Sequence, residues 1–218
     1  MRKLEKLVPP APPHGATIEA LRILRLEHDT TVAAGDQPTD HLKGQYRTVR
    51  DAVRCETSEK CAYCECIITD TYVGDVEHML PKANHYTRTL DYENLTFACW
   101  KCNNHKGNKE FQTLNFLNPY MDEPGDYLRF FGLTLRPVPR NPHMVRAKRT
   151  IDTMDLNRQA LLDSRERVHN LCESLEMNYH GTTYEAVRDM VKEQIDKARS
   201  ADAEHSMLAR QYFDTAGL

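Results

Sequence analysis

The chain has 218 residues, of which 40% are hydrophobic and 28% charged, and its formal net charge is -3. This length suits one domain, or a small catalytic module with helical additions, and the absence of any apolar run near the roughly 20 residues that span a bilayer predicts a protein with no membrane partner. The charged, proline-rich start lacks the apolar stretch of a secretory signal, so we expect a cytoplasmic protein. The near-neutral charge excludes a protein that binds nucleic acid through a large basic surplus alone.

The amino-terminal quarter of the chain divides into a proline-rich arm and a helical segment. Residues 1–16 contain four closely spaced prolines and are expected to be extended. Residues 17–56 show helical spacing on both sides of a break at 35–38, so two helices are predicted there. Their apolar faces consist of Ile18, Leu21 and Leu24 in the first helix and of Leu42, Tyr46, Val49 and Val53 in the second.

Two cysteine pairs with two-residue spacing indicate a structural zinc site. Cys61 pairs with Cys64 and Cys99 with Cys102, the spacing with which a tight turn points two sulfurs at one zinc ion. In a chain without a secretory signal, such pairs favour metal binding over disulfides. Cys66 is near enough to compete as a ligand, although the spacing match belongs to Cys61 and Cys64.

The segment between the cysteine pairs is expected to carry structure of its own. Residues 68–80 and 95–99 favour β-strands, and residues 101–111 after the second pair favour a helix. The zinc module is therefore placed at 57–118. From the cysteines alone, a zinc ribbon that only stiffens a binding surface is an equal interpretation.

Four polar residues in this module have the chemistry of a phosphodiesterase. Glu77 offers a hard oxygen ligand for Mg²⁺ or Mn²⁺, and the adjacent His78 is a candidate general base. Asn103 directly follows a zinc ligand, so its amide oxygen could complete the metal site opposite Glu77. Asn94 could bridge the loop and orient His78, although an ordinary turn residue is the simpler interpretation of this asparagine taken alone.

Several basic residues are candidates for phosphate contact. A loop leading into a helix at 136–150 is the most basic run in the chain and has no acidic residue, so it could follow a phosphate backbone or be simply solvated. The candidate substrate-binding residues are Lys82, Lys106 and Lys109 in the zinc module and Arg146, Lys148 and Arg149 in the basic run. For each of them, a solvated surface position is the alternative. His85 and His105 are less certain candidates for substrate contacts.

The remainder of the chain, 119–218, is predicted to be mainly helical. Turn residues fill 118–126, and a short strand or hairpin is expected at 127–135. One helix is expected from Thr150 with a turn at 155–157, and a last helix from about Thr183 to Phe213, whose pattern weakens after Ser200. The fold class is therefore α+β, mainly helical around a central zinc-stabilised module. The outer helices could dock a partner, or their apolar faces could belong to the core.

The combined motifs of the central fifty residues resemble the HNH endonuclease family, which has a ββα-metal fold. The resemblance rests on a first cysteine pair, the sequence Glu77–His78, Asn94 before a leucine, and a second cysteine pair followed at once by Asn103. It implies that Glu77 and Asn103 hold a catalytic Mg²⁺ or Mn²⁺, that His78 activates water, that Asn94 supports the loop and that the four cysteines bind zinc. The last motif position is asparagine rather than histidine, which the resemblance links to members that use a single Mg²⁺.

Looser similarities extend over most of the chain. The opening MRKLEKL, the phrase VEHMLPKA, the turn NPYMDEP and the segment TIDTMDLNRQALLDSR resemble the HNH nuclease subunits of Septu-type and retron-linked antiphage systems. The resemblance implies a nuclease that pairs with an ABC-like or SMC-like ATPase, or works with a retron reverse transcriptase complex. DNA is the expected substrate. RNA such as tRNA, or a zinc-stabilised binding module without turnover, are the alternatives.

Overall fold

The computed structural model describes residues 1–6, 14–33, 46–69, 74–110 and 115–218. In chain order the regular elements are α1 (His14–Ala33), α2 (Tyr46–Glu56), β1 (Asp75–His78), β2 (Leu95–Ala98), α3 (Trp100–Lys106), β3 (Leu128–Phe131), β4 (Thr134–Pro137), α4 (Met144–Thr153), α5 (Gln159–Gly181), α6 (Glu185–Arg199) and α7 (Ser206–Ala216). Single helical turns at Tyr86–Arg88, Tyr92–Asn94 and Pro124–Tyr127 lie between them. This arrangement confirms the α+β class.

The centre of the molecule is a ββα unit. β1 and β2 pair antiparallel, with Glu77 opposite Thr96 and His78 opposite Leu95, and α3 follows β2 after a single residue, Cys99. α2 packs across both strands and α3 packs against β1. All four residues of β2 are buried. Burial of a large apolar side chain such as Phe97 contributes about 1.5–3 kcal/mol to folding.

Gly74 lets the chain enter β1. It has a φ of +64°, and a β-carbon on this residue would lie 2.5 Å from the ring of Phe97. Because both the backbone conformation and the close ring exclude a side chain, only glycine fits. The residue thereby fixes where the strand that carries Glu77 and His78 begins.

The carboxyl-terminal part of the chain forms a hairpin and a helical bundle. β3 and β4 form the antiparallel hairpin predicted near 127–135, and α4 packs on β4. α5, α6 and α7 pack on one another around a small core of their own, formed by Cys172, Leu175, Ile195, Ala198, Ala209 and Phe213. The main core joins the ββα unit, α2, the hairpin and the start of α5.

Three details of the predicted helices differ from the structure. The single helix expected over 183–213 is two helices, because the chain turns at 200–205 and His205 takes a left-handed conformation. The helix expected to begin at Thr150 begins at Met144, and the helix expected over 101–111 ends at Lys106, where Gly107 has a φ of 52°. The helix predicted to open at Asp40 is described from Tyr46 onward.

The first six residues contain no helix or strand, and they pack against the rest of the protein. Met1 and Leu4 are buried, and the Leu4 amide donates a hydrogen bond to the Pro119 carbonyl at 2.8 Å. α1 begins at His14, and the prolines at positions 9 to 13 lie outside the described residues. Among the described helices, none combines the length and apolarity required to cross a membrane.

Candidate active site and zinc-binding cluster

Four cysteine sulfurs lie together where the ββα unit meets the first cysteine turn. The Sγ atoms of Cys61, Cys64, Cys99 and Cys102 all lie within 4.8 Å of one another, and those of Cys64 and Cys99 are 3.9 Å apart. A tetrahedral zinc ion with zinc–sulfur bonds of about 2.3 Å would separate its sulfurs by about 3.8 Å. The cluster therefore fits a structural zinc ion, and Cys66 lies outside it.

Local backbone geometry explains why these cysteines converge. In the first pair, the Cys61 amide bonds to the Cys66 carbonyl and the Glu65 amide to the Cys61 carbonyl, which closes a tight turn. In the second pair, the Cys99 sulfur caps α3 by accepting from the Cys102 amide. The Ala62 amide bonds to the Phe97 carbonyl at 2.9 Å and joins the two turns.

Arg158 supplies positive charge beside the sulfurs. Its guanidinium lies 3.6 Å from Cys102 Sγ and 3.9 Å from Cys99 Sγ. Burial disfavours the charged guanidinium, but the sulfurs around it outweigh that effect and raise the pKa of Arg158. Four thiolates around one zinc ion carry a net charge of about -2, which this cation offsets in part.

Glu77, a predicted metal ligand, forms a buried ion pair with Lys106. The Lys106 ammonium lies 2.5 Å from Glu77 Oε1 and donates a hydrogen bond to the His78 carbonyl at 2.8 Å. Both side chains are almost fully buried, at 5% exposed for Glu77 and 1% for Lys106. Burial raises the pKa of Glu77, and the nearby ammonium opposes the rise. Lys106 therefore faces the protein interior, not the solvent from which a phosphate would approach.

Asn103 is oriented by a second carboxylate. Its amide nitrogen donates to Asp75 Oδ2 at 2.9 Å, and its position after Cys102 ties it to the cysteine cluster. Asp75 and Glu77 lie two residues apart on β1 and so share a face of the strand. Because the amide nitrogen is bound to Asp75, the Asn103 oxygen is the atom left for a cation. Glu77 and Asn103 line one cleft, and hard oxygen donors of this kind suit Mg²⁺ or Mn²⁺.

The imidazole of His78 is held by a backbone carbonyl. Its Nε2 lies 2.9 Å from the Thr89 oxygen. A carbonyl oxygen only accepts hydrogen bonds, so Nε2 carries the proton in this contact and the lone pair of the neutral ring is on Nδ1. A general base needs this tautomer fixed by such a contact.

Asn94 closes the loop that connects β1 to β2. Its side-chain oxygen accepts from the Leu80 amide at 2.6 Å, and its nitrogen donates to the Leu80 and Arg88 carbonyls, each at 3.0 Å. Asn94 does not touch the imidazole in these contacts. Its contacts join it to His78 only through the loop, since Arg88 precedes Thr89, whose carbonyl holds the ring.

Three of the four polar candidates line a cleft of about 430 Å³, and Asn94 is not among its lining residues. Glu77, His78 and Asn103 are on its walls, together with Lys82 from the loop after β1. Lys82 is exposed, as a phosphate contact requires. Lys109 is also exposed, with its ammonium 2.7 Å from the His105 carbonyl. The structure thus brings one of the six proposed substrate-binding residues to the cleft wall.

The three candidates from the basic run lie on α4, in a helix and not in the expected loop. Arg146 forms a two-bond ion pair with Asp122, at 3.0 and 2.7 Å, and donates to the Phe116 carbonyl. Lys148 is exposed and pairs with Asp152 at 2.5 Å, one helical turn away. Arg149 is exposed on the same helix. Arg146 is therefore engaged in holding the turn at 118–126 to α4.

Three groups in the site were not identified from the sequence: Asp75, Arg158 and the Thr89 carbonyl. Asp75 could have been found, because strand alternation places it on the same face as Glu77. Arg158 and the Thr89 carbonyl could not, since neither lies near its target in the chain. His85, a less certain candidate, lies 3.0 Å from Glu110 and belongs to a surface contact.

Comparison with known proteins agrees with this geometry. Residues 61–109 match the HNH endonuclease family, so this segment of the chain resembles an HNH endonuclease domain. It is similar to the Septu protein PtuB of Bacillus thuringiensis, with 29% identity over 102 residues, which are 46% of this chain and 38% of that protein. It is also similar to the Septu protein PtuB of Bacillus mycoides (strain KBAB4), with 23% identity over 151 residues, 56% of this chain and 50% of that protein.

These matches confirm the resemblance to HNH endonucleases and to the Septu-type proteins. The chain spans half or less of the length of the curated relatives that it matches. What those relatives do as whole proteins is accordingly treated below as a proposal for this chain.

Proposed function

We propose that this protein is a metal-dependent endonuclease that cuts DNA as the nuclease subunit of an antiphage defence complex. The proposal rests on the position of His78. This residue lines the same cleft as Glu77 and Asn103, and the Thr89 carbonyl holds its Nε2. A protein that only binds nucleic acid has no need for an imidazole in a fixed tautomer beside two hard oxygen donors. This favours an enzyme over a zinc-stabilised binding module.

Six residues in and around the cleft have a role in this proposal. Glu77 and Asn103 would hold one Mg²⁺ or Mn²⁺, which supplies charge stabilisation at the scissile phosphate and the leaving oxygen. His78 takes the proton of the attacking water through Nδ1. Asp75 and Lys106 orient the two ligands, and Lys82 contacts the substrate backbone.

The defence role and the partner rest on the resemblance to Septu-type and retron-linked nucleases. Such subunits pair with an ABC-like ATPase, and the net charge of -3 suits a nuclease that takes part of its nucleic-acid binding from a partner. RNA such as tRNA is the alternative substrate, because one metal and one base hydrolyse either backbone. A retron reverse transcriptase complex is a further candidate partner.

The test compares the purified protein with His78→Ala on plasmid DNA and on total RNA, with added Mg²⁺ or Mn²⁺, alone and with a co-purified ATPase. We expect the wild type to cut DNA and His78→Ala to lose at least about 100-fold in rate, at the low end of the general-base contribution. His180→Ala, an exposed histidine of α5, is the matched control and should cut normally.

Preference for RNA would change the substrate and keep the enzyme. Wild-type cutting rates in His78→Ala would contradict the assignment of the base. A wild-type protein that cuts neither polymer, even with the ATPase, would favour the binding module.

A further inference from the structure

A second group of metal-ligating side chains lies outside both the four-cysteine cluster and the cleft. It consists of Cys66, Glu204 and His205, whose ligand atoms all lie within 4.8 Å of one another. Cys66 Sγ is 3.6 Å from His205 Nε2. We propose that these three residues bind a second zinc ion, which joins the nuclease module to the carboxyl-terminal bundle.

The separations match zinc coordination. Bonds of about 2.3 Å to sulfur and about 2.0–2.1 Å to nitrogen, at a tetrahedral angle, place the two ligand atoms about 3.6 Å apart. The observed sulfur–nitrogen distance is 3.6 Å. Thiolate, imidazole and carboxylate are also the three side-chain types that zinc takes in proteins.

The surroundings hold the three side chains in place. Glu204 is fixed next to Cys66, because its Oε1 accepts from the Ile67 amide at 3.3 Å. His205 is 1% exposed, and its amide donates to the Glu65 carbonyl at 3.3 Å. The Ser164 hydroxyl lies 3.1 Å from the same imidazole nitrogen and helps to fix the orientation of the ring.

The backbone on both sides of the group is held in an uncommon conformation. Glu65, which precedes Cys66, has a φ of 64° and His205 a φ of 48°, both in the left-handed region that non-glycine residues seldom adopt. Such conformations persist where surrounding contacts enforce them and are frequent at ligand sites. A metal bound by residues 66 and 204–205 would tie together segments almost 140 positions apart in the chain.

A hydrogen-bonded chain of Cys66, His205 and Ser164 without metal is the competing explanation, and the zinc content of the purified protein separates the two. We expect two zinc ions per chain in the wild type and one in both Cys66→Ser and His205→Gln. Cys55→Ser, which changes an exposed cysteine, should keep two. Asn103→Ala should also keep two, because its position is in the catalytic cleft.

Two outcomes would overturn the proposal. One is a wild type with a single zinc ion and an intact four-cysteine cluster. The other is a second ion that is lost in Asn103→Ala and retained in Cys66→Ser, which would place it in the cleft. Neither outcome bears on cutting by His78, so the second zinc site and the nuclease function can fail independently.

Protein produced with cobalt in place of zinc gives a test that needs no variant. Thiolate–cobalt charge-transfer absorption should appear for both bound ions, with the second contributing about a quarter of the first, since one thiolate is compared with four. A cobalt ion in the cleft would give no such absorption, because no cysteine lines the cleft. If the ion in the four-cysteine cluster accounts for all the charge-transfer absorption, the second site is refuted.

Discussion

Lys106 shows how a single buried residue can change the interpretation of a site. From the sequence it is a lysine near a nuclease motif and so a candidate for phosphate contact. In the structure it is buried against Glu77 and bonds to the His78 carbonyl. A buried carboxylate without a partner would be costly, and the ammonium compensates for its charge. We infer that Lys106 positions the predicted metal ligand and leaves phosphate contact to exposed lysines such as Lys82.

Replacing Lys106 by methionine tests this inference, because methionine keeps much of the volume and removes the charge. We expect the free energy of unfolding to fall by about 3 kcal/mol, the lower part of the range for breaking a buried ion pair. Mn²⁺ affinity should fall at least about tenfold, as for the loss of a group that supports a metal ligand. Urea denaturation and metal titration measure the two effects.

Lys109→Met is the matched control, since Lys109 is exposed and its ammonium contacts a backbone carbonyl. It should leave stability and Mn²⁺ affinity unchanged. Adding Glu77→Gln to Lys106→Met should recover much of the lost stability, because the carboxylate no longer needs a cation. If Lys106→Met only weakens substrate binding and is otherwise like Lys109→Met, the positioning role is wrong.

At the scale of the elements, the loop between β1 and β2 determines where His78 points. The loop covers residues 79–94, and its two ends are fixed to each other by the Met79 amide, which bonds to the Asn94 carbonyl at 2.9 Å. The Asn94 side chain adds three bonds within the loop, to Leu80 and Arg88. The four-cysteine cluster lies away from this loop, where β2 ends and α3 begins. Zinc and Asn94 therefore support different parts of the same ββα unit.

Asn94→Ala should separate these two contributions. It removes three hydrogen bonds in a buried setting, worth about 1 kcal/mol each, and loosens the loop whose Thr89 carbonyl orients His78. We expect the cutting rate to fall at least about tenfold while the zinc content stays that of the wild type. Asn84→Ala is the control, because Asn84 lies in the same loop but is exposed and bonds to Glu110. Normal cutting by Asn94→Ala would show that the loop holds His78 without it.

Across the whole molecule, the sequence predicted what depends on short spacing. The cysteine pairs, a strand within 68–80, a strand within 95–99 and the adjacency of Asn103 to the zinc cluster are local features, and the structure contains them all. Partners distant in the chain were not predictable. Arg146 is held by Asp122, 24 positions away, and Lys106 by Glu77, so both differ from the solvated residues that composition suggests.

The break between α6 and α7 escaped prediction for a related reason. Apolar residues continue on both sides of it, with Ile195 and Ala198 before and Leu208 after, so the helical pattern weakens after Ser200 without marking a stop. The stop comes from polar contacts: the Ser200 hydroxyl donates to the Lys197 carbonyl at 2.6 Å and to Asp202 at 2.5 Å. The periodicity of apolar residues shows which face of a helix is buried. It does not show the side-chain to backbone contacts that end a helix.

The apolar core has two parts: the main core around the ββα unit, and the small core of α5, α6 and α7, which we call the bundle cluster. We therefore expect zinc to stabilise the first part more than the second. Cys99→Ser removes a ligand of the four-cysteine cluster and should cost zinc and stability. In hydrogen exchange we expect amides of β1, β2 and α3 to lose protection, while those of α6 and α7 keep most of theirs, because Ile195, Ala209 and Phe213 pack in the bundle cluster.

Cys172→Ser is the reciprocal change, since it makes the same substitution at a buried cysteine of the bundle cluster. It should leave zinc content unchanged and lower protection mainly in α5, α6 and α7, because a hydroxyl buried among apolar groups costs about 1–3 kcal/mol. Opposite exchange patterns in the two variants would establish two separately stabilised regions. If both variants instead raise exchange by the same factor throughout, the chain unfolds as one cooperative unit, and zinc in the ββα unit stabilises the distant helices as much as the active site.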